Sequence, residues 1–128
     1  MKFLVPNGNT EFEIPDDWWQ FADMSSFKPG PGGYFPYAPN PSGEVRVVAL
    51  STVEPPLRAS SVPPFKKYKL VPILLAFTSP ECAVPPVEVE PSSGAYSFRV
   101  RNGYHRFYAS VAVGYYKLPV RVLPPFAF

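Results

Sequence analysis

The chain has 128 residues, a formal net charge of +2, one cysteine, one histidine and 19 prolines. That length predicts one domain with a real core. A lone cysteine excludes an internal disulfide framework, and a single Cys and His cannot build a Cys/His zinc site. Proline richness accompanies disorder in many chains, but aromatics at 16% oppose that here, because disordered chains are poor in large apolar side chains. Short elements joined by proline-set loops are expected. No stretch approaches the roughly 18 apolar residues of a membrane helix, and the opening MKFLVP is too short for a signal core, which predicts a soluble, cytoplasmic protein with no membrane partner.

Charge divides the chain. Residues 1–44 carry two basic and six acidic side chains, net −4, and residues 45–128 carry ten basic and four acidic, net +6. We read 1–44 as an acidic, aromatic, Pro/Gly-rich arm and 45–128 as the domain proper. In the arm, Glu11 to Ile14 suits a strand. Pro15 fits a first helical position, and Asp16 and Asp17 fit the first turn of a short helix running towards Met24. Trp18, Trp19 and Phe21 are too apolar to stay in water. They either staple the arm to the core or form a protein-partner patch. Residues 28–43, KPGPGGYFPYAPNPSG, read as an ordered loop or a proline-rich ligand segment.

A proline-marked loop over 54–66 contains Arg58, Ser60 and Ser61. Leu70, Ile73, Leu74 and Phe77 follow helical spacing within 66–78. Pro72 would break an interior, so the regular helix is expected to begin near Val71. Lys66, Lys67 and Lys69 then precede its positive end, an unfavourable arrangement unless an anion lies nearby. Tyr96, Phe98 and Val100 alternate with Ser97, Arg99 and Arg101 in a half-buried strand, which Asn102-Gly103 breaks. Tyr108, Ala109, Val111 and Ala112 give a helical stripe that Gly114 stops, and Leu118-Pro119 leads into Val120–Val122. His105 and Arg106 therefore open a helix beside a glycine, where backbone amides and the dipole favour a phosphate.

Gly103, His105, Arg106, Ala109, Gly114, Leu118, Pro119 and Val120 together resemble the Gly-x-His-Arg turn, helix and Leu-Pro-Val exit of the ParB/sulfiredoxin superfamily. Val84–Val89 is similar to the Pro-Pro-Ile-x-Val strand of sulfiredoxins, and Val47–Val53 to the first strand of the fold. Lys69 stands about where sulfiredoxins carry an ATP-contacting lysine. The resemblance covers roughly residues 45–123. It implies a compact α+β domain with a small mixed sheet, two or three short helices and long proline-rich loops.

For function, the resemblance implies a nucleotide site of Lys69, Asn102, Gly103, Tyr104, His105 and Arg106, taking ATP, ADP or CTP with Mg²⁺. His105 and Glu54 would be the catalytic pair if phosphate is hydrolysed or transferred. Tyr104 stands where sulfiredoxins have their reactive cysteine, and Cys82 lies in another loop, so sulfinic-acid repair is not implied. Two further readings stay open. One is a nucleic-acid-binding or nuclease-like plasmid or phage relative that holds DNA on a stripe of Arg99, Arg101, Arg106 and Arg121. The other is a protein-interaction module with a vestigial turn, binding through Trp18, Trp19 and Phe21. No Walker loop, dinucleotide fingerprint or nucleophile elbow is present.

Overall fold

Alternation of apolar and charged residues builds the centre of the molecule. In this computed structural model, which describes residues 1–29, 44–57, 61–79 and 84–123, five strands form one mixed sheet. They are β3 (Glu44–Ala49), β4 (Val53–Glu54), β5 (Val87–Pro91), β6 (Phe98–Asn102) and β7 (Lys117–Val122), in the order β3-β7-β5-β6-β4. The β3/β7 and β5/β6 pairs are antiparallel, and β5/β7 and β4/β6 are parallel. A separate hairpin pairs β1 (Lys2–Leu4) with β2 (Glu11–Glu13). Three α-helices complete the described fold: α1 (Asp16–Phe21), α2 (Lys67–Thr78) and α3 (Tyr104–Val113). The architecture is the α+β class expected. Cys82, Arg58, Ser60 and the 30–43 part of the proline-glycine loop lie outside the described residues.

Because side chains alternate along a strand, one sheet face is apolar and the other charged. Val87, Val89, Leu118 and Val120 are buried in the core beside α3, whose Phe107, Tyr108 and Ala109 are fully covered. On the other face, Glu88 and Glu90 of β5 lie among Arg99, Arg101 and Arg121. Gly114 closes α3 in the left-handed conformation at φ 96°, where its own missing Cβ removes the steric cost.

The strand likened over Val84–Val89 runs Val87–Pro91, the one read from Tyr96 begins at Phe98, the helix read towards Met24 ends at Phe21, and two further elements differ in more than their ends. The strand implied over Val47–Val53 is split: β3 ends at Ala49, a 3₁₀ turn covers Leu50–Thr52, and β4 follows. Leu50 donates its N–H to the Tyr116 carbonyl at 2.8 Å, while Ser97 donates to the Thr52 carbonyl at 2.9 Å, so the chain crosses from one sheet edge to the other. Helix α2 begins at Lys67 and not near Val71, with Pro72 inside it. An interior proline costs roughly 3 kcal/mol. Leu70, Val71, Leu74 and Phe77 are buried on the same helix, at roughly 1.5–3 kcal/mol each, so tertiary packing outweighs the break. Pro72 is exposed, as is Tyr68, whose carbonyl loses its helical partner.

The arm, over residues 1–29, shares this core. Phe3 stacks on Phe12 at 5.4 Å and tilts against Trp19 at 5.2 Å, and Phe12 meets Tyr108 of α3 at 4.9 Å. Trp19 is 7% exposed and so is not a surface for a partner, whereas Phe21 is 69% exposed. Among the described residues no helix is long and apolar enough to cross a membrane. Replacing Trp19 by Ala should cost about 3–5 kcal/mol in denaturant unfolding, the usual range for a buried tryptophan. Phe21→Ala should change stability by less than about 0.5 kcal/mol. Equal effects would contradict this packing.

Candidate functional site

The turn between β6 and α3 is built on Gly103, at φ 124° and ψ 30°. A Cβ there would lie 3.0 Å from Val87 Cγ1 and 3.3 Å from Val87 Cα, so the dihedral strains any side chain and the contact would make Val87 give way by a few tenths of an ångström. The glycine seats the first turn of α3 directly on β5. Neither Gly103 ahead of α3 nor Lys66 ahead of α2 caps its own helix with a side chain. The starts of both helices open on one cavity of about 820 Å³.

His105 joins the two starts. Its Nε2 accepts the backbone N–H of Lys66, the residue preceding α2, at 3.1 Å. A ring nitrogen that accepts carries no proton, so the neutral imidazole keeps its hydrogen on Nδ1. Burial, then Lys69, then Lys66 lower the His105 pKa from 6.5, which favours that neutral form. Arg106 donates from Nη1 to the Pro86 carbonyl at 2.6 Å and so ties α3 to the lead-in of β5. Two positive helix ends and several cations are thus held side by side.

The cavity lining includes Lys66, Lys69, Arg101 and Arg106, and no described carboxylate belongs to it. Its remaining wall is apolar, with Pro56, Leu57, Pro63, Pro64, Ile73, Pro85 and Val100. Of the residues expected at a nucleotide site, Lys69, Asn102, Gly103, Tyr104, His105 and Arg106 all line this cavity. The Asn102 amide, however, donates to Glu88 Oε1 at 2.9 Å. Glu54, which the resemblance offered as a base or as a help in holding Mg²⁺, is exposed on the edge strand β4 opposite Arg99 and is not part of the lining. The split of the first strand carries it to that edge.

The four arginines of the expected basic stripe are not arranged as one. Arg99 donates to Glu90 Oε1 from Nε at 3.0 Å and from Nη2 at 2.5 Å, and Arg101 Nε lies 3.8 Å from Glu90 Oε2. Arg121 Nη1 lies 3.8 Å from Glu88 Oε2, and Arg106 faces the cavity. The carboxylates of β5 interleave with the guanidinium groups of its neighbours. Alternation within β6 gave the arginines a common face, but only the strand order reveals the acids between them.

Sequence reasoning missed Lys66 as a lining residue, although its place ahead of α2 was the signal. It also missed Pro56, Leu57, Pro63 and Pro64, which proline-marked loop chemistry alone does not assign to any wall. Among the described residues, no group of three His, Cys, Asp or Glu side chains could hold a metal ion. The donor set here is cationic and does not fit Mg²⁺ held by the chain itself.

No family model matches the chain, and no curated protein matches it. Among solved structures, the C-terminally truncated chromosome-partitioning protein ParB from Caulobacter crescentus, complexed with CTP-gamma-S, is similar to it, with 18% identity and a TM-score of 0.48. The likeness is one of fold. It covers 66% of this chain and 46% of that one, so this chain spans less than half the length of that structure.

His105 is the only histidine, so its titration can be read without assignment. Its folded pKa lies below 6.5, so just under that pH the unfolded chain binds more protons than the folded one. Stability should therefore fall as pH drops from 6.5 through the folded pKa, and His105→Gln should flatten that limb. Proton NMR of the imidazole should give a midpoint below 6.5; a midpoint at or above it would contradict the Lys66 contact.

Proposed function

We propose that the cavity binds a nucleotide by its phosphate groups. The observation that carries this reading is the meeting of two helix starts, neither capped by the side chain of its own N-cap residue, with Lys66 and Lys69 at one cavity whose described lining lacks a carboxylate. Positive ends brought together repel unless an anion lies between them. Lysine ammonium groups serve phosphate as mobile point charges. The Nδ1–H of His105 is a further donor at the same place. A volume of about 820 Å³ falls within the range of small-molecule sites, roughly 300–1,000 Å³.

ATP, ADP and CTP are the ligands to try. Any Mg²⁺ would arrive with the phosphates and not on carboxylates of the chain. Phosphoryl transfer needs a base near the acceptor. Glu54 stands outside the lining, so recognition, and not transfer, is the function proposed.

Thermal melts with each nucleotide, with and without Mg²⁺, test this directly. A nucleotide at about 100 times its Kd should stabilise the fold by about 2.7 kcal/mol. Lys69→Gln should weaken binding about tenfold or more, since a hydrogen bond to a charged group contributes roughly 1.5–3 kcal/mol. No shift with any nucleotide at millimolar concentration would reject the reading.

A further inference from the structure

The cavity has two unlike sides, and α3 builds the second as well as the first. Its phosphate-facing side is the turn at Gly103, His105 and Arg106. Another part of the wall comes from two lengths of proline-rich chain, 55–57 and 61–65. Prolines have no N–H, so Pro56, Pro63 and Pro64 donate no backbone bond, although Ser61 is bridged. Two tyrosines of α3 tie the carbonyls of these segments. The Tyr104 hydroxyl donates to the Pro63 carbonyl at 2.6 Å, and the Tyr108 hydroxyl donates to the Pro56 carbonyl at 2.8 Å. Phe65 locks the second segment further, packing on Tyr104 at 5.4 Å, His105 at 5.7 Å and Tyr108 at 5.8 Å.

We propose that Tyr104 and Tyr108 are positioning residues that suspend an apolar wall of Pro56, Leu57, Pro63 and Pro64 over the cavity, and that this wall receives the non-phosphate part of the ligand. The inference rests on the phosphate reading above and narrows it: the ligand class is a phosphate ester with a flat or apolar group, a nucleoside phosphate, and not a bare polyphosphate. The wall offers no charge to a second phosphate cluster, while a base or sugar face gains contact area against proline rings. The two tyrosines lie one helical turn apart on α3, four residues in sequence, so one rigid helix fixes both the phosphate-facing turn and the wall.

Calorimetric titration of the full chain with ATP and CTP, each with Mg²⁺, and with inorganic tripolyphosphate separates the two sides. The wild-type chain should bind at least one nucleotide more tightly than tripolyphosphate. Tyr104→Phe and Tyr108→Phe should each cut nucleotide affinity by about fivefold, the effect of one neutral hydrogen bond, and leave tripolyphosphate affinity within about twofold. Amide exchange at Leu57 and Phe65 should quicken in the variants, a readout of the wall itself. If both ligands weaken equally, or if tripolyphosphate binds the wild type as tightly as nucleotide, the wall has no recognition role and the inference fails, with the phosphate reading intact. If neither ligand binds the wild type, both fail. Should the Tyr108 variant not fold, the Tyr104 variant, with its half-buried ring, decides the matter alone.

Discussion

At Gly103 the backbone passes so close to β5 that a Cβ would stand 3.0 Å from a Val87 methyl group, and the rest of the candidate site depends on this approach. A residue with a side chain would push the start of α3 away from the sheet. His105 would then part from the Lys66 amide, and Arg106 from the Pro86 carbonyl. Those two bonds fix where α2 and the lead-in of β5 lie relative to α3. One missing carbon therefore sets the spacing of two helix starts, and that spacing creates the cationic side of the cavity.

The aromatic side chains carry the same constraint outward. Phe12 of the arm packs on Tyr108, and Phe65 packs on both. The hydroxyl of Tyr108 reaches Pro56. Burial, and after it Tyr104, raise the Tyr108 pKa well above its usual 10.0, so the phenol stays a donor across the working pH range. The arm, the helix and the proline wall are consequently one packed unit. Of the two readings open for the arm's aromatics, Phe3, Phe12 and Trp19 follow the staple to the core.

Legibility followed the range of the interactions. Local signals were dependable in kind: the Gly103 break, the Gly114 stop and the alternation of Phe98 and Val100 with Arg99 and Arg101 lie where the residues put them, although β6 begins at Phe98 and not at Tyr96, and α1 ends at Phe21 short of Met24. They located the turn and hence five of the cavity's lining residues, Asn102 to Arg106, while Lys69 came from the resemblance. Signals that depend on distant partners were not dependable. Pro72 argued against the first turn of α2, but four buried neighbours overrule it. Glu54 was placed at the site only by its likeness to the family's glutamate after the first strand, and the crossing at Leu50–Thr52 takes it to the far edge. The arginines looked like a stripe because strand order, which inserts β5 with its acids between β6 and β7, is invisible to periodicity.

That interleaving of acids and arginines has an electrostatic result. Glu88 and Glu90 cancel much of the field from Arg99, Arg101 and Arg121 on the outer sheet face, whereas Lys66 and Lys69 have no described carboxylate set against them. Lys66, Lys69 and Arg106 thus set positive charge at the cavity that the acids of the outer sheet face do not offset. Such a field draws anionic solutes inward from beyond contact distance, and it is damped as the Debye length shrinks with added salt. Capture of an anion at this mouth would be governed by ionic strength through its on-rate, while the proline wall, which carries no charge, would govern how long the solute stays.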